Sequence, residues 1–229
     1  MYGSVPLIVR LLASSVSVAN RAGKIVRDVM SKGELGIVEK GKDDYQTEAD
    51  RSAQRCIVAS LAAQYPNLKI IGEEDSLEDE GEVVSDWLVN EIDKEILKLQ
   101  CPPNLQEVKE EDIVVWVDPL DGTSEYTQGF LEHVTVLIGI AVNETPVAGV
   151  IHQPYYKNIV EGDKKIGRTI WGLHGVGVGG FTPAPPPESI VITTTRSHSN
   201  PVVEEALKVM NASKVLRVGG AGYKVSILL

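Results

Sequence analysis

The residues with the clearest chemical potential lie in one short segment, Asp118–Thr123, with the sequence DPLDGT. Two carboxylates, Asp118 and Asp121, follow a predicted buried strand and would repel each other on a bare turn. A hard divalent cation removes that repulsion, because carboxylate and backbone carbonyl oxygens are its preferred ligands. The proline and the glycine of the segment allow a sharp turn that could direct both carboxylates and the Leu120 carbonyl to one point. The segment therefore predicts a metal site, and a solvated β-turn built from the same turn-forming residues is the alternative.

Two further segments carry acidic side chains that could complete such a site. Residues 72–74 (GEE) follow the predicted strand Leu68–Ile71, and strand ends are where α/β folds place ligands. Paired glutamates on a loop are otherwise simply solvated. Asp44, Thr47 and Asp50 form another acidic group, for which the alternative is a capping box, because Thr47 and Asp50 have the spacing of an N-cap and its partner in the first helical turn.

Hydroxyl, basic and glycine residues follow two later strands. Thr193–His198 supplies hydroxyls and a histidine suited to contacts with a phosphate or a base, although a surface loop would look similar. Gly219–Gly222 is similar to a phosphate-cradling loop with Lys224 as a nearby point charge, although glycine-rich turns are common. The four histidines lack metal-ligand spacing, and no serine-protease-like or Cys/His nucleophile arrangement is evident.

Hydrophobic periodicity predicts the elements that position these residues. Apolar residues keep helical spacing from Val5 to Met30, from Thr47 to the residue before Pro66, and across Trp87–Leu99. The continuous β-branched run Ile113–Val117 predicts a central strand. Further strands are expected at Gly36–Gly41, Leu68–Ile71, Val134–Val142, Val147–His152, Thr169–Gly172, Ile190–Thr194 and Val215–Val218, with a hairpin turn at Asn143-Glu144, loops at Asp75–Glu82 and Gly175–Pro187, and a helix from Pro201.

Composition limits the class of protein. The chain has 229 residues, 43% of them hydrophobic, which is enough for a real buried core and excludes a predominantly disordered chain. The net charge of −10 offers no basic face for nucleic acid, and no apolar run is long enough to cross a membrane. An anionic substrate would be repelled unless bound cations reverse the local field. The two cysteines form no disulfide framework, which predicts a reducing, cytoplasmic location.

Taken together, these motifs resemble the inositol monophosphatase superfamily of lithium-sensitive, magnesium-dependent phosphomonoesterases. The matches run in family order, with residues 44–50 first, then 72–74 and then Trp116–Thr123. Residues 123–126 (TSEY) look like the bisphosphate-nucleotidase branch, because inositol monophosphatases usually have Asn and Phe where this chain has Glu125 and Tyr126. Residues 195–199 (TRSHS) and 217–222 (RVGGAG) are also similar to that branch.

The resemblance implies an α/β fold, an α+β layered sandwich of the sugar-phosphatase type. It implies hydrolysis of the 3′-phosphate of adenosine 3′,5′-bisphosphate to AMP and phosphate, and also of the 1-phosphate of inositol 1,4-bisphosphate. By the same resemblance, Asp50 and Thr123 orient and deprotonate the attacking water. Magnesium would be held by Glu73, Asp118, the Leu120 carbonyl and Asp121, and the nucleotide would contact Thr195, Ser197, His198, Gly220 and Lys224.

One departure from the family pattern bears on activity. The third metal-binding aspartate of the family lies in a Trp-Asp motif downstream of the position matching Lys224, and this chain has no aspartate after Asp163. We therefore expect an N-terminal α+β metal-site domain over residues 1–155 and the start of a C-terminal α/β substrate domain, truncated, over residues 156–229. A lost charged ligand can cost orders of magnitude in metal affinity or rate.

Two alternatives to the nucleotidase stay open. One is an inositol polyphosphate phosphatase, against which Glu125 argues. The other is a truncated, catalytically inactive product that binds metal or nucleotide. In each case the expected partner is a small molecule, a nucleotide bisphosphate or an inositol phosphate, with no nucleic acid and no membrane, and the expected state is a monomer.

Overall fold

The computed structural model describes residues 4–41, 44–74, 87–160 and 163–229, so the loop expected at residues 75–82 lies outside the described residues. The described elements include five α-helices and ten strands. The helices are α1 (Leu7–Lys32), α2 (Glu48–Gln64), α3 (Thr123–Thr127), α4 (Pro201–Met210) and α5 (Ala221–Ser226). The strands are β1 (Val38–Gly41), β2 (Asp44–Gln46), β3 (Lys69–Gly72), β4 (Ile113–Asp121), β5 (Thr135–Val142), β6 (Thr145–Val160), β7 (Asp163–Leu173), β8 (Gly177–Gly179), β9 (Val191–Thr195) and β10 (Lys214–Val218).

A mixed six-stranded sheet forms the centre of the fold. Its strand order is β3-β4-β5-β6-β7-β8, in which β3 runs parallel to β4 and every later neighbour is antiparallel. Strands β9 and β10 form a separate parallel pair joined through α4, and β1 with β2 forms a short antiparallel ribbon. The expected α/β class and the expected strand-helix-strand unit near the end of the chain are confirmed.

Helices α1 and α2 cover one face of the sheet. The predicted inward residues of α1, among them Ile8, Leu12 and Ala19, are fully buried, and α1 packs against α2 and across β5, β6 and β7. A buried hydrogen bond from the Tyr126 hydroxyl to the Val26 carbonyl, 2.8 Å long, ties α3 to α1. The core therefore holds the carboxyl end of β4 and the start of α3 in fixed positions.

The helix expected over Trp87–Leu99 is wrong. Only Ile96–Lys98 forms a short 3-10 turn. The preceding backbone bonds instead to side chains of α2: Gln64 donates to the Val89 carbonyl over 2.8 Å, and the Val89 N–H donates to Ser60 over 3.0 Å. The segment therefore buries its regularly spaced apolar residues without forming a helix, because its backbone polar groups bond to side chains of α2.

The turn expected at Asn143-Glu144 is confirmed. Both residues have positive φ, 46° and 65°, the conformation of a two-residue hairpin turn whose twist matches its strands. The division into two domains stays a prediction; residue 155 lies within β6, which continues through β7 and β8 in the same sheet. Among the described residues, no helix is both long enough and apolar enough to span a membrane.

Candidate active site

Asp118 and Asp121 reach one cleft because β4 is irregular between them. Asp118 pairs with Leu137 of β5 and Asp121 pairs with Thr135, so β4 takes three steps where β5 takes two. In a regular strand, residues three apart point to opposite faces of the sheet. One extra residue reverses that alternation, as a β-bulge does. Both carboxylates therefore line the same cleft.

Glu73 brings a third carboxylate to the same edge. Its N–H donates to the Val117 carbonyl over 2.9 Å, which continues the pairing of β3 with β4 one residue beyond β3. Burial first, and then the nearby carboxylates of Glu73 and Asp121, raise the pKa of Asp118 to about 9. The Leu120 N–H donates to Asp118 over 3.2 Å and offsets a part of this cost.

Asp121 joins the end of β4 to the start of α5. Its carboxylate accepts hydrogen bonds from the Thr135 hydroxyl over 2.6 Å and from the N–H groups of Ala221 and Gly222, both over 2.8 Å. The first N–H groups of a helix have no partner within the helix, and a carboxylate is well suited to accept from them. The Asp121 side chain therefore also positions the loop that carries Gly220.

Asp50 is almost fully buried and contacts the start of α3. One carboxylate oxygen accepts from the Thr47 N–H over 2.8 Å and from its hydroxyl, which completes a capping box at the start of α2. The other oxygen accepts from the Thr123 hydroxyl over 3.1 Å. Burial raises the pKa of Asp50 to about 6. The capping box and the contact with Thr123 exist together, so the two interpretations of Asp50 do not exclude each other.

A cleft of about 290 Å³ collects nearly all the predicted site residues. Asp50 lies behind it and reaches it through Thr123. The predicted residues that line it are Glu73, Asp118, Leu120, Asp121, Thr123, Thr195, Ser197, His198, Gly220 and Lys224. The structure thus brings together the residues predicted for catalysis, for metal binding and for nucleotide binding. The role of each residue stays a prediction.

The donor chemistry of this cleft fits a hard divalent cation. Carboxylate and carbonyl oxygens are the ligands such ions prefer. Burial and, after it, repulsion from neighbouring carboxylates raise the pKa of Asp118, and a bound cation would offset both costs. Within residues 4–41, 44–74, 87–160 and 163–229, however, no three His, Cys, Asp or Glu side chains are grouped so as to hold an ion as they stand. The oxygen donors are of the type that a divalent cation needs. The Asp121 carboxylate, however, accepts hydrogen bonds from the N–H groups of Ala221 and Gly222.

Sequence reasoning missed several residues of the site. Thr135 holds Asp121, and nothing in the local sequence pointed to that role. Arg196 forms an ion pair with Glu125, with 3.0 Å between Nη2 and Oε1. His133 accepts a long hydrogen bond of 3.4 Å from the Gly219 N–H and stacks between two aromatic rings. The other unpredicted residues of the cleft include Tyr45, Ser124, Glu125 and Ala221.

A family model described as "Inositol monophosphatase family" matches residues 9–229. The chain belongs to the inositol monophosphatase family. The family predicted from the motifs at residues 44–50, 72–74 and 116–123 is thereby confirmed. The fold agrees, because a solved structure of the extragenic suppressor protein suhB from Bartonella henselae has a TM-score of 0.62 at 25% identity, covering 92% of this chain and 72% of that one.

Two curated relatives within this family carry nucleotidase or phosphatase names. The human protein 3′(2′),5′-bisphosphate nucleotidase 1 is 52% identical over 235 residues, covering 100% of this chain and 74% of the relative. The bovine Golgi-resident adenosine 3′,5′-bisphosphate 3′-phosphatase is 36% identical over 230 residues, covering 96% of this chain and 59% of the relative.

Proposed function

We propose that this chain is a magnesium-dependent phosphomonoesterase that hydrolyses the 3′-phosphate of adenosine 3′,5′-bisphosphate to AMP and phosphate. The observation that carries the proposal is the single cleft in which the carboxylates of Glu73, Asp118 and Asp121 face hydroxyl, histidine and lysine side chains of the later elements. The name and 52% identity of the human relative support the choice of substrate.

The Asp50–Thr123 pair supplies the base. A water oxygen attacks phosphorus and the bond from phosphorus to the 3′ oxygen breaks, so the water loses a proton and the leaving oxygen gains one. The Thr123 hydroxyl can accept a proton from the water while it donates its own hydrogen to Asp50, 3.1 Å away. The pKa of Asp50, raised to about 6 by burial, suits a base that works near neutral pH.

Glu73, Asp118, the Leu120 carbonyl and Asp121 would hold magnesium. When bound, the ion neutralises the phosphate and lowers the pKa of a bound water. This requirement agrees with the charge of the chain, because a protein of net charge −10 holds a bisphosphate only if cations line its site.

The later elements supply the contacts with the nucleotide. Lys224 is the cation of the cleft on α5, and Ser197 and His198 lie at its rim with their side chains 3.0 Å apart. A Cβ at Gly220 would lie 2.4 Å from the His133 carbonyl oxygen, so only glycine allows the backbone to pass there. Thr195 accepts from the His198 N–H over 3.0 Å and fixes this turn.

The test is phosphate release from adenosine 3′,5′-bisphosphate by the purified chain, first with magnesium and then with EDTA. Release that requires magnesium supports the proposal. A folded chain that releases no phosphate contradicts it and favours an inactive product that binds metal or nucleotide. A melting curve with and without magnesium separates binding from loss of folding, because a ligand of the folded state raises Tm.

The same cleft chemistry extends the proposal to the 1-phosphate of inositol 1,4-bisphosphate. A ratio of kcat/KM values above one in favour of the nucleotide is expected, because the cleft contains groups suited to a base as well as to phosphate. A ratio in favour of the inositol phosphate would select the inositol polyphosphate phosphatase instead. The cytoplasmic location and the monomeric state stay predictions.

A further inference from the structure

An ion pair between Arg196 and the buried Glu125 lies at the wall of the cleft. Arg196 Nη2 donates to Glu125 Oε1 over 3.0 Å, and the Glu125 side chain is 6% exposed. The same nitrogen lies 3.2 Å from the Gln128 amide oxygen, and the guanidinium lies over the Phe130 ring, 4.5 Å from its centroid. The helix α3 and the loop after it thus hold Arg196 on three sides.

The pair connects the two parts of the candidate site. Glu125 lies on α3, which begins at Thr123. Arg196 follows β9 directly and stands between Thr195 and Ser197, which line the cleft. Its N–H also donates to the Val218 carbonyl over 3.1 Å, so the ends of β9 and β10 are held together at the same point.

The backbone after β10 packs directly on the Glu125 carboxyl. A Cβ at Gly219 would lie 2.0 Å from Glu125 Cδ and 2.1 Å from Oε1, so any side chain at this position would force the Glu125 carboxyl to move. A Cβ built on Gly122 would be in van der Waals contact with the Gly220 Cα, 3.7 Å away. The position of the carboxyl therefore fixes how near the Gly219–Gly220 backbone comes to Asp121.

We propose that Glu125 and Arg196 are positioning residues that set the separation between the carboxylate edge of the cleft and its nucleotide-contacting edge. The pair acts on the substrate through Ser197 and Gly220, the neighbours that it holds. Replacement of Arg196 leaves the buried Glu125 carboxylate without its partner, and replacement of Glu125 leaves the half-buried guanidinium without its charge partner. Either change should displace the β9–β10 pair and not the sheet. This proposal rests on the proposed function of the cleft.

A second ion pair on the same unit provides a matched control. Arg217 of β10 donates to both oxygens of Glu204 on α4, over 2.9 Å and 2.8 Å, and both side chains are exposed. Glu204 does not line the cleft. Glu204→Gln therefore makes the same chemical change as Glu125→Gln, at an exposed position of the β9-α4-β10 segment that does not line the cleft.

The kinetic test compares Glu125→Gln and Glu204→Gln with the unchanged chain. For Glu125→Gln, KM for adenosine 3′,5′-bisphosphate should rise by about tenfold or more while kcat changes by less than about threefold. Glu204→Gln should leave both constants within about twofold. Glu125→Gln combined with Arg196→Gln should recover part of the lost KM, because neither charge is then left without a partner. An unchanged KM, or a loss in kcat alone, overturns the proposal.

A second measurement does not need activity. Amide hydrogen exchange should accelerate at Arg196, Ala221 and Gly222 in Glu125→Gln, since these N–H groups bond across the junction. Exchange in β5 should be unchanged, and Glu204→Gln should show no acceleration at the three sites. If the unchanged chain releases no phosphate, the proposed function fails, while the exchange data still decide whether the pair positions the β9–β10 unit. Equal exchange at these sites in both variants overturns the positioning role.

Discussion

Thr123 donates a hydrogen bond to Asp50 over 3.1 Å, although the two residues lie 73 positions apart in the chain. Thr123 is the first residue of α3, and Asp50 lies in the first turn of α2. The starts of the two helices thus meet at the floor of the cleft. The buried carboxylate contacts the cleft residue Thr123 through this hydroxyl, so the hydroxyl is the group whose removal tests the link.

Replacement of Thr123 by valine should lower kcat about 100-fold or more, because the hydroxyl that relays a proton to Asp50 is replaced by a methyl group of similar size. Thr123→Ser keeps the hydroxyl and should stay within about tenfold of the unchanged chain. Single-turnover phosphate release measures both. Equal rates for the valine and serine variants would refute the relay.

Asp118→Asn should abolish magnesium-dependent turnover and, in EDTA, raise the free energy of unfolding at neutral pH. The stabilisation arises because burial, and after it repulsion from Glu73 and Asp121, raise the pKa of Asp118 to about 9. Since this folded-state pKa lies above the ordinary value of 3.8, the carboxyl favours the folded state at low pH, and this contribution is lost as the pH rises through about 9.

The gain from Asp118→Asn should therefore grow between pH 5 and pH 9 in urea unfolding experiments. Asp28→Asn is the control, because Asp28 is an exposed partner of Lys24 on α1, and its effect should stay within about 0.5 kcal/mol. If Asp118→Asn keeps full magnesium-dependent turnover, Asp118 is not a metal ligand.

His152 should make the chain sensitive to acid. Burial lowers the pKa of His152 to about 3, and its Nδ1 is 2.8 Å from the Thr169 hydroxyl. A depressed folded-state pKa contributes stability above the ordinary value of 6.5, and that stability is lost as the pH falls towards 3. The free energy of unfolding should fall by about 1.4 kcal/mol per pH unit between pH 6 and pH 4 from this group alone.

His152→Asn removes the titrating ring and keeps a polar group that can reach Thr169. The difference in unfolding free energy between the unchanged chain and this variant should shrink steadily below pH 6.5, as measured by urea denaturation at a series of pH values. Parallel curves for the two proteins from pH 7 to pH 4 would show that His152 is protonated in the folded state.

Gly220→Ala should destabilise the fold by more than Gly129→Ala. Both glycines have positive φ, 68° and 83°, so the backbone would be strained by an alanine at either position. A Cβ at Gly129 meets nothing within 4 Å, whereas one at Gly220 would lie 2.4 Å from the His133 carbonyl oxygen. The added clash should cost about 1–3 kcal/mol and raise KM. Equal Tm values for the two variants would contradict the close approach.

Motifs that act locally were predictable from the sequence. Thr47 as an N-cap and Asn143-Glu144 as a hairpin turn depend on residues that are close in the chain, and both occur as expected. The acidic clusters at Glu73 and at Asp118 were also identifiable, because each lies at the end of an apolar strand marked by glycine or proline. Their meeting in one cleft follows from the parallel pairing of β3 with β4.

Contacts that depend on packing were not predictable. The backbone of Val89 bonds to the side chains of Gln64 and Ser60 on α2, and no local pattern reports such partners. Thr135 is an ordinary strand residue until the register of β5 places it against Asp121. The ion pair of Glu125 with Arg196 joins residues 71 positions apart, and only the docking of β9 beside α3 creates it.

The hydrogen bonds of Asp121 with Ala221 and Gly222 span 100 and 101 positions of the chain. Contacts between residues so distant in sequence form slowly, because a long loop must close before they contribute. Strands β5 to β8 can pair as neighbouring hairpins. The cleft can form only after β9, β10 and α5 have packed against the end of β4. The cleft is therefore a late product of folding, and its first appearance in a refolding experiment marks the step at which the whole chain becomes one cooperative unit.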